Sequence, residues 1–514
     1  VTGVQTCALP IFPMVLPISQ ETFDDAVNSN IEDFGMEPEE AVKDAIEQFE
    51  KEGMNLSLVI KAYRPGGKDQ DPVILALEKL ESDPADLAIC EETLPLIASE
   101  LNKGEQQREV FSRHEGINTL VVALNNCKAK NLSLAEITLR AMGNAMKQCR
   151  FSRNQLREVG IEAAVSVWNI LPLNLSLNSL TLHGMVMYVA KHAMVKDENN
   201  RQDFLNHSLL EMIQAALTIC ASGNSSPPES DMDVEAWDAA KSRLFVYSCD
   251  VIRLLSLNDD ERAPLGKAHE RMKEMGDSDI LQILMQCVAE TAGRCDAASQ
   301  PQSQSAEAAL GALARIICAE EIAIRALDGG LMRSIETLLR NSDNLHGASY
   351  LRLALATLRS LCASDTCRNA ASTTGMVGSL IAALAQGIDQ EDWKRVDAAC
   401  AACAAISQRN PTVATYLVEG GILPHLKPAL QGMLEHTTEG SQGRHASATL
   451  CRNLVVRSPE HVEAVLQSGV EGPLRVMMAD PYDDGHAKGA LRDLGCQIEL
   501  KEEWTGSKGG LAYA

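Results

Sequence analysis

Apolar residues in this chain recur at helical spacing, in runs that are interrupted at regular intervals by short turns built on glycine. The turns are Glu115-Gly116-Ile117, Val159-Gly160-Ile161, Asp328-Gly329-Gly330-Leu331, Thr374-Gly375-Met376, Glu419-Gly420-Gly421-Ile422 and Ser468-Gly469-Val470, with neighbours about 45 residues apart. Each precedes an apolar helix, a variable loop and a longer apolar helix. The longer helices are expected at 134–147, 177–194, 236–255, 306–319, 348–363, 392–407, 444–456 and 485–494. A period of this length belongs to stacked helical units, each of which buries its apolar face only against its neighbours. The expected fold is therefore all-α: a right-handed α-solenoid with a short helical segment at its N-terminal end.

Two units depart from the pattern. One replaces its glycine turn with Asn206-His207-Ser208, and the next, 262–320, carries extra length around Gly266 and Gly276. Polar stretches at 222–231 and 293–305 read as loops between the middle and last helices, on one edge of the stack. Ahead of the repeats, 19–34 and 37–52 read as amphipathic helices, the second with Pro38 in its first turn and Gly53 past its end. Residues 64–71, with Arg64-Pro65-Gly66-Gly67, read as a linker, and 72–101 as a capping pair of helices. The resulting division is 1–13 as adapter-derived sequence with Met14 as the start, 14–63 as an acidic helical segment, and 72–514 as the solenoid.

Composition narrows the function. Aromatic residues are 4% of the chain, so Ala, Leu, Ile, Val and Met fill the helix interfaces. The formal charge of -24 opposes a general phosphate-binding role and makes nucleic acid an unexpected partner. The 15 cysteines lack disulfide-framework spacing and point to a reducing compartment, the cytoplasm and also the nucleus. Cys400 and Cys403 form a C-x-x-C with no second pair and no histidine at ligand spacing, so they read as buried helix cysteines and not as a metal site. No phosphate-cradling glycine loop follows a strand pattern, and His183, His192, His425, His445 and His461 have no partners at catalytic spacing. The expectation is a soluble, monomeric, non-enzymatic protein with no catalytic residue, cofactor, metal, membrane or small-molecule substrate.

The turn phrase Leu417-Val-Glu-Gly-Gly-Ile-Leu-Pro424 and the helix phrase Cys451-Arg-Asn-Leu-Val455 resemble the armadillo repeat, a short first helix and two longer ones. The resemblance implies a scaffold or adaptor whose third helices line a concave groove, where asparagines hold the backbone of an extended peptide. Asn144 and Asn453 occupy third helices, but most units lack that asparagine. What recurs instead is arginine: Arg140, Arg253, Arg315, Arg359, Arg452 and Arg492 take near-equivalent places. A row of guanidinium groups suits an acidic or phosphorylated segment of another protein. The alternative is that these arginines pair with acids on adjacent repeats and only align the stack. A second functional reading is a transport or chaperone-like receptor that grips a folded client with its edge loops. The acidic stretch from Glu21 to Glu52 either packs on the first repeats or folds back over the arginine row.

Overall fold

A computed structural model of the chain describes residues 18–498 except 19, 55, 57–58, 60, 62–71, 171, 174–175, 222–232, 264–265, 294–299, 341–347, 439–440, 481–482 and 484. The stretch 1–13, the start at Met14, the linker 64–71 and the loop 222–231 lie outside the described residues.

Among the described residues all regular structure is helical, as the periodicity requires. Two helices, α1 (Gln20–Glu32) and α2 (Pro38–Lys51), come first, followed by α3 (Pro72–Ser82) and α4 (Leu87–Lys103). Eight successive triplets then follow. The first three are α5 (Glu105–Arg113), α6 (Gly116–Cys127) and α7 (Leu132–Met146); α8 (Arg150–Val159), α9 (Ile161–Trp168) and α10 (Leu177–Ala193); α11 (Glu198–Asn206), α12 (Leu209–Ala221) and α13 (Val234–Leu255). Next are α14 (Ala268–Asp277), α15 (Asp279–Gly293) and α16 (Gln300–Ile316); α17 (Glu320–Asp328), α18 (Leu331–Arg340) and α19 (Ala348–Leu361); α20 (Asp365–Ser372), α21 (Met376–Asp389) and α22 (Trp393–Ser407). The last two are α23 (Pro411–Glu419), α24 (Leu423–His436) and α25 (Gln442–Val455), then α26 (Val462–Gln467), α27 (Glu471–Met478) and α28 (His486–Asp493).

The corner between first and second helices is sharp, 75° between α11 and α12 and 87° between α20 and α21. A left-handed residue makes several of these corners: Gly330 and Gly421 at φ of 83° and 94°, but Glu115 at 51° and Ser208 at 62°. Ser208 thus replaces the missing glycine, as the sequence anticipates. Gly116 is needed for a different reason, since a Cβ there would fall 2.4 Å from the ring of Phe111.

Contacts gather the chain into two compact units. The first holds residues 1–219, 225–254 and 258–266, and the second holds 220–224, 255–257 and 267–514. Within the first, α3 packs on α4, α4 on α7 and α7 on α10; in the second, α16, α19, α22, α25 and α28 pack in succession, as do α15, α18, α21, α24 and α27. This neighbour-only packing of third helix on third helix and second on second is an α-solenoid stack in each unit. One loop is shorter than expected. The stretch 293–305 reads as loop from its serines and glutamines, yet α16 starts at Gln300 with Pro301 in its first turn, where the missing N–H costs nothing.

A recurrent buried arginine ties one triplet to the helix before it. Arg108 Nη1 donates to the Leu101 carbonyl at 3.2 Å, Arg153 Nη1 to Met146 at 3.1 Å, Arg271 Nε to Leu255 at 2.8 Å and Arg368 Nη1 to Cys362 at 2.6 Å. Each acceptor lies at the C-terminal end of a third helix, or of α4, where carbonyls lack intrahelical partners and the helix dipole favours a cation. The third triplet uses an amide instead: Asn200 Nδ2 donates to Ala193 at 2.9 Å.

The N-terminal pair forms its own small core from Phe23, Val27, Ala41, Val42, Ala45 and Phe49. Asp24 accepts two bonds from Arg113, at 3.0 and 3.4 Å, so the segment is fastened to α5, the first helix of the first triplet. Of the two sequence-level placements, packing on the first repeats is the one seen.

Candidate functional site

In the first unit, the faces of α7, α10 and α13 carry a graded set of polar residues at matching positions. Asn144 lies on α7 with Lys147 just past its C-terminal end, Tyr188 and Lys191 lie on α10, and Tyr247 and Asp250 on α13. Each pair is spaced i and i+3, which on α10 and α13 brings both side chains to one helix face. Asn144 is buried and its amide is engaged at both ends: Nδ2 donates to the Ala98 carbonyl at 2.9 Å, and Oδ1 accepts from the Tyr188 hydroxyl at 2.7 Å. The amide therefore staples α4, α7 and α10.

Tyr188 reaches Asn144 by lying across α7 at Gly143, where an added Cβ would stand 2.4 Å from the ring. The Lys147 ammonium sits 5.6 Å from the Tyr188 ring centre, and Lys191 sits 5.4 Å from that of Tyr247. The two rings are 5.3 Å apart. Cations over aromatic faces and tilted ring pairs are both favourable, so these side chains form a ladder running from helix to helix. His192 packs edge-on against Tyr188 at 4.5 Å. Burial, followed by Lys191, Lys147, Arg153 and Arg108, lowers its pKa to about 3, so at neutral pH its ring carries no charge.

The six arginines singled out by sequence divide by what holds them. Arg140 pairs with Glu136 one turn away, and Arg253 with Asp250 at 3.3 Å. Arg452 and Arg492 share the carboxylate of Asp493, at 2.7 and 2.9 Å. Burial works to raise the Asp493 pKa, but bonds from Arg492 and Arg452 carry it below the usual carboxylate range. Arg315 and Arg359 are exposed, and neither makes an ion pair among the described residues. They lie on adjacent third helices whose register is fixed by Ser360 donating to the Ala314 carbonyl at 2.8 Å. Asn453 donates to the Ala404 carbonyl at 2.8 Å, joining α25 to α22.

His183, Cys400 and Cys403 are structural in placement. His183 is bonded to the Ser179 and Trp168 carbonyls, at 2.5 and 3.0 Å. Cys400 and Cys403 are fully buried in α22, and burial pushes the Cys403 thiol up to about 12. Among the described residues no group of three or more His, Cys, Asp or Glu side chains is arranged to hold a metal ion. No single described helix is long and apolar enough to cross a membrane.

Sequence reading missed the ladder, Lys147, Tyr188, Lys191 and Tyr247. The signal was present as the i, i+3 pairing of a hydrogen-bonding or aromatic residue with a charge in or just past three successive third helices.

Residues 16–88 match the family described as the armadillo repeat-containing protein 6 N-terminal domain. Human armadillo repeat-containing protein 6 is 28% identical over 510 residues, covering 96% of this chain and 94% of the relative. The Drosophila melanogaster homolog is 27% identical over 552 residues, covering 96% and 98%. A solved structure of an engineered protein superposes with a TM-score of 0.50 at 14% identity, over 84% of this chain and all of that one, which is a likeness of fold. The chain is thus similar along nearly its whole length to armadillo repeat-containing protein 6.

Proposed function

We propose that this chain is a non-enzymatic armadillo-repeat scaffold that binds an extended acidic or phosphorylated segment of another protein across its third helices. The observation that carries the reading is the pair Arg315 and Arg359, exposed on neighbouring third helices without an ion pair among the described residues, in a chain of formal charge -24. Arg359 has the Asp397 carboxylate of α22 within electrostatic reach, but neither arginine is closed by an ion pair among the described residues, and such a pair suits a carboxylate or phosphate from outside. Arg452 and Arg492 already have Asp493, and Arg452 takes a supporting part by fixing α25 to α28. Similarity to armadillo repeat-containing protein 6 supports a protein-interaction role without naming the ligand.

The test is binding of a fluorescent glutamate-rich peptide to the full chain and to Arg315→Glu with Arg359→Glu. Charge-assisted contacts of about 1.5 to 3 kcal/mol each, reduced by screening at an exposed site, give an expected loss of about tenfold or more. Helical content should not change, because neither side chain is buried. Equal affinity for both proteins would defeat the reading.

A further inference from the structure

Lys147 is a half-buried ammonium that makes no ion pair among the described residues. Its hydrogen-bond partner is the Asn102 amide oxygen at 2.9 Å, and its other neighbour is the face of Tyr188. Burial and then Arg108 and Lys191 act to lower its pKa, so the charges that surround it have its own sign. These three cations, Lys147, Lys191 and Arg108, also bear on His192, together with Arg153. An ammonium such as Lys147, partly buried beside like charges and without an ion pair of its own among the described residues, raises the free energy of the empty state, and an arriving anion lowers it. The next rung shows what the neutralised arrangement looks like: Lys191 Nζ meets Asp250 Oδ2 at 2.7 Å while still lying over Tyr247. At the Lys147 rung Asp250 has no counterpart, since Lys191 occupies the matching position on α10.

We propose that Lys147, with Tyr188 beneath it and Lys191 on the next helix, forms a site for one acidic side chain of an extended partner segment, which takes the place that Asp250 takes one rung on. This rests on the groove-binding reading above and adds a second contact point, in the first unit, with a defined chemistry. The partner supplies a carboxylate or a phosphate oxygen that accepts from Lys147 Nζ. With its amide committed to Ala98 and Tyr188, Asn144 holds the ladder in register instead of gripping a peptide backbone. Nucleic acid fits less well: Tyr188 lies on Gly143 with Lys147 over the ring, and its hydroxyl is bound, so a base finds little open aromatic face.

The experiment measures fluorescence anisotropy of two labelled extended peptides, one glutamate-rich and one with phosphoserine at the same positions, on the full chain and its variants. Lys147→Glu is expected to weaken binding about tenfold, Lys147→Arg to retain it, and Lys130→Glu, with the same change in net charge, to alter it less than twofold. Asp250→Asn frees Lys191 and is expected to tighten binding severalfold, a gain that a folding defect cannot produce. The tighter of the two peptides identifies the anion as carboxylate or phosphate. If the peptides bind and Lys147→Glu matches the parent while Arg315→Glu with Arg359→Glu fails, this site is wrong and the groove reading stands. If neither peptide binds the parent, both are wrong. Tighter binding of a labelled single-stranded oligonucleotide than of either peptide would overturn the site.

Discussion

At the scale of single residues, charge in this protein is used mainly to hold helices, and the arginines show it most directly. Arg368 is buried on α20 and donates to the Cys362 and Ala363 carbonyls at 2.6 and 3.3 Å, while Asp365 pairs with its other nitrogen. Arg368→Ala leaves the end of α19 uncapped, and by the cost of unsatisfied buried groups should destabilise the second unit by about 2 to 3 kcal/mol in urea unfolding. A loss below half a kcal/mol would show that water takes over the capping. These buried arginines were invisible in the sequence because they sit in short polar first helices, where an arginine reads as solvated. The exposed third-helix arginines stood out by their spacing, but spacing cannot say which of them a carboxylate has already taken. Asp493, the last residue of α28, decides that for both Arg452 and Arg492.

His192 makes a prediction with a definite sign. Its folded-state pKa of about 3 lies below the ordinary value of 6.5, so below pH 6.5 the unfolded chain takes up a proton that the folded chain refuses. Stability is therefore lost as pH falls from 6.5 toward 3. Glu109 acts oppositely: burial and then Glu105 raise its pKa to about 7, so between 7 and its ordinary 4.5 falling pH favours the folded state. Comparing His192→Gln with the parent isolates the first effect. The variant should lose about 1 kcal/mol less than the parent between pH 7 and pH 5, with allowance for partial solvent access. Identical slopes of unfolding midpoint against pH would contradict the assignment.

At the scale of elements, periodicity carried most of the information. The long helices fall within a few residues of where their apolar spacing puts them, from 134–147 against Leu132–Met146 to 444–456 against Gln442–Val455. The N-terminal pair and the capping pair do too. The early start of α16 shows where composition misleads, because serine and glutamine tolerate a helix that neighbouring α15 and α19 pay to form by packing. The ladder was hidden for another reason: a tyrosine at the asparagine position reads as core until its contacts are known. Gly143 is what allows that tyrosine to lie flat. Gly143→Ala should keep α7 helical, since alanine favours helix, yet displace the Tyr188 ring and its bond to Asn144. The expected cost is about 1 to 3 kcal/mol of overpacking, and the expected signature is a changed tyrosine fluorescence and a His192 pKa nearer its ordinary value. Unchanged tyrosine and histidine signals would mean that α10 shifts to make room.

At the scale of the whole molecule, stability in each unit is a sum over neighbours. In the second unit α25 packs between α22 and α28, held by Asn453 to Ala404 on one side and Arg452 to Asp493 on the other. Both of its interfaces are of one kind, third helix on third helix, so removing the triplet exposes two faces built to meet partners of the same type. A chain lacking residues 411–458 should therefore lose helical signal in proportion to the residues removed and keep cooperative unfolding, at a lower midpoint because one interface has gone. The bound anion distinguishes this from simple tolerance. Lys147 and its ladder lie wholly in the first unit, and neighbour-only coupling leaves them untouched, so the peptide contact at Lys147 should survive the deletion, read as an unchanged response of the His192 resonance to peptide. Loss of all helicity, or of that response, would show that the repeats are coupled over longer range than their contacts imply.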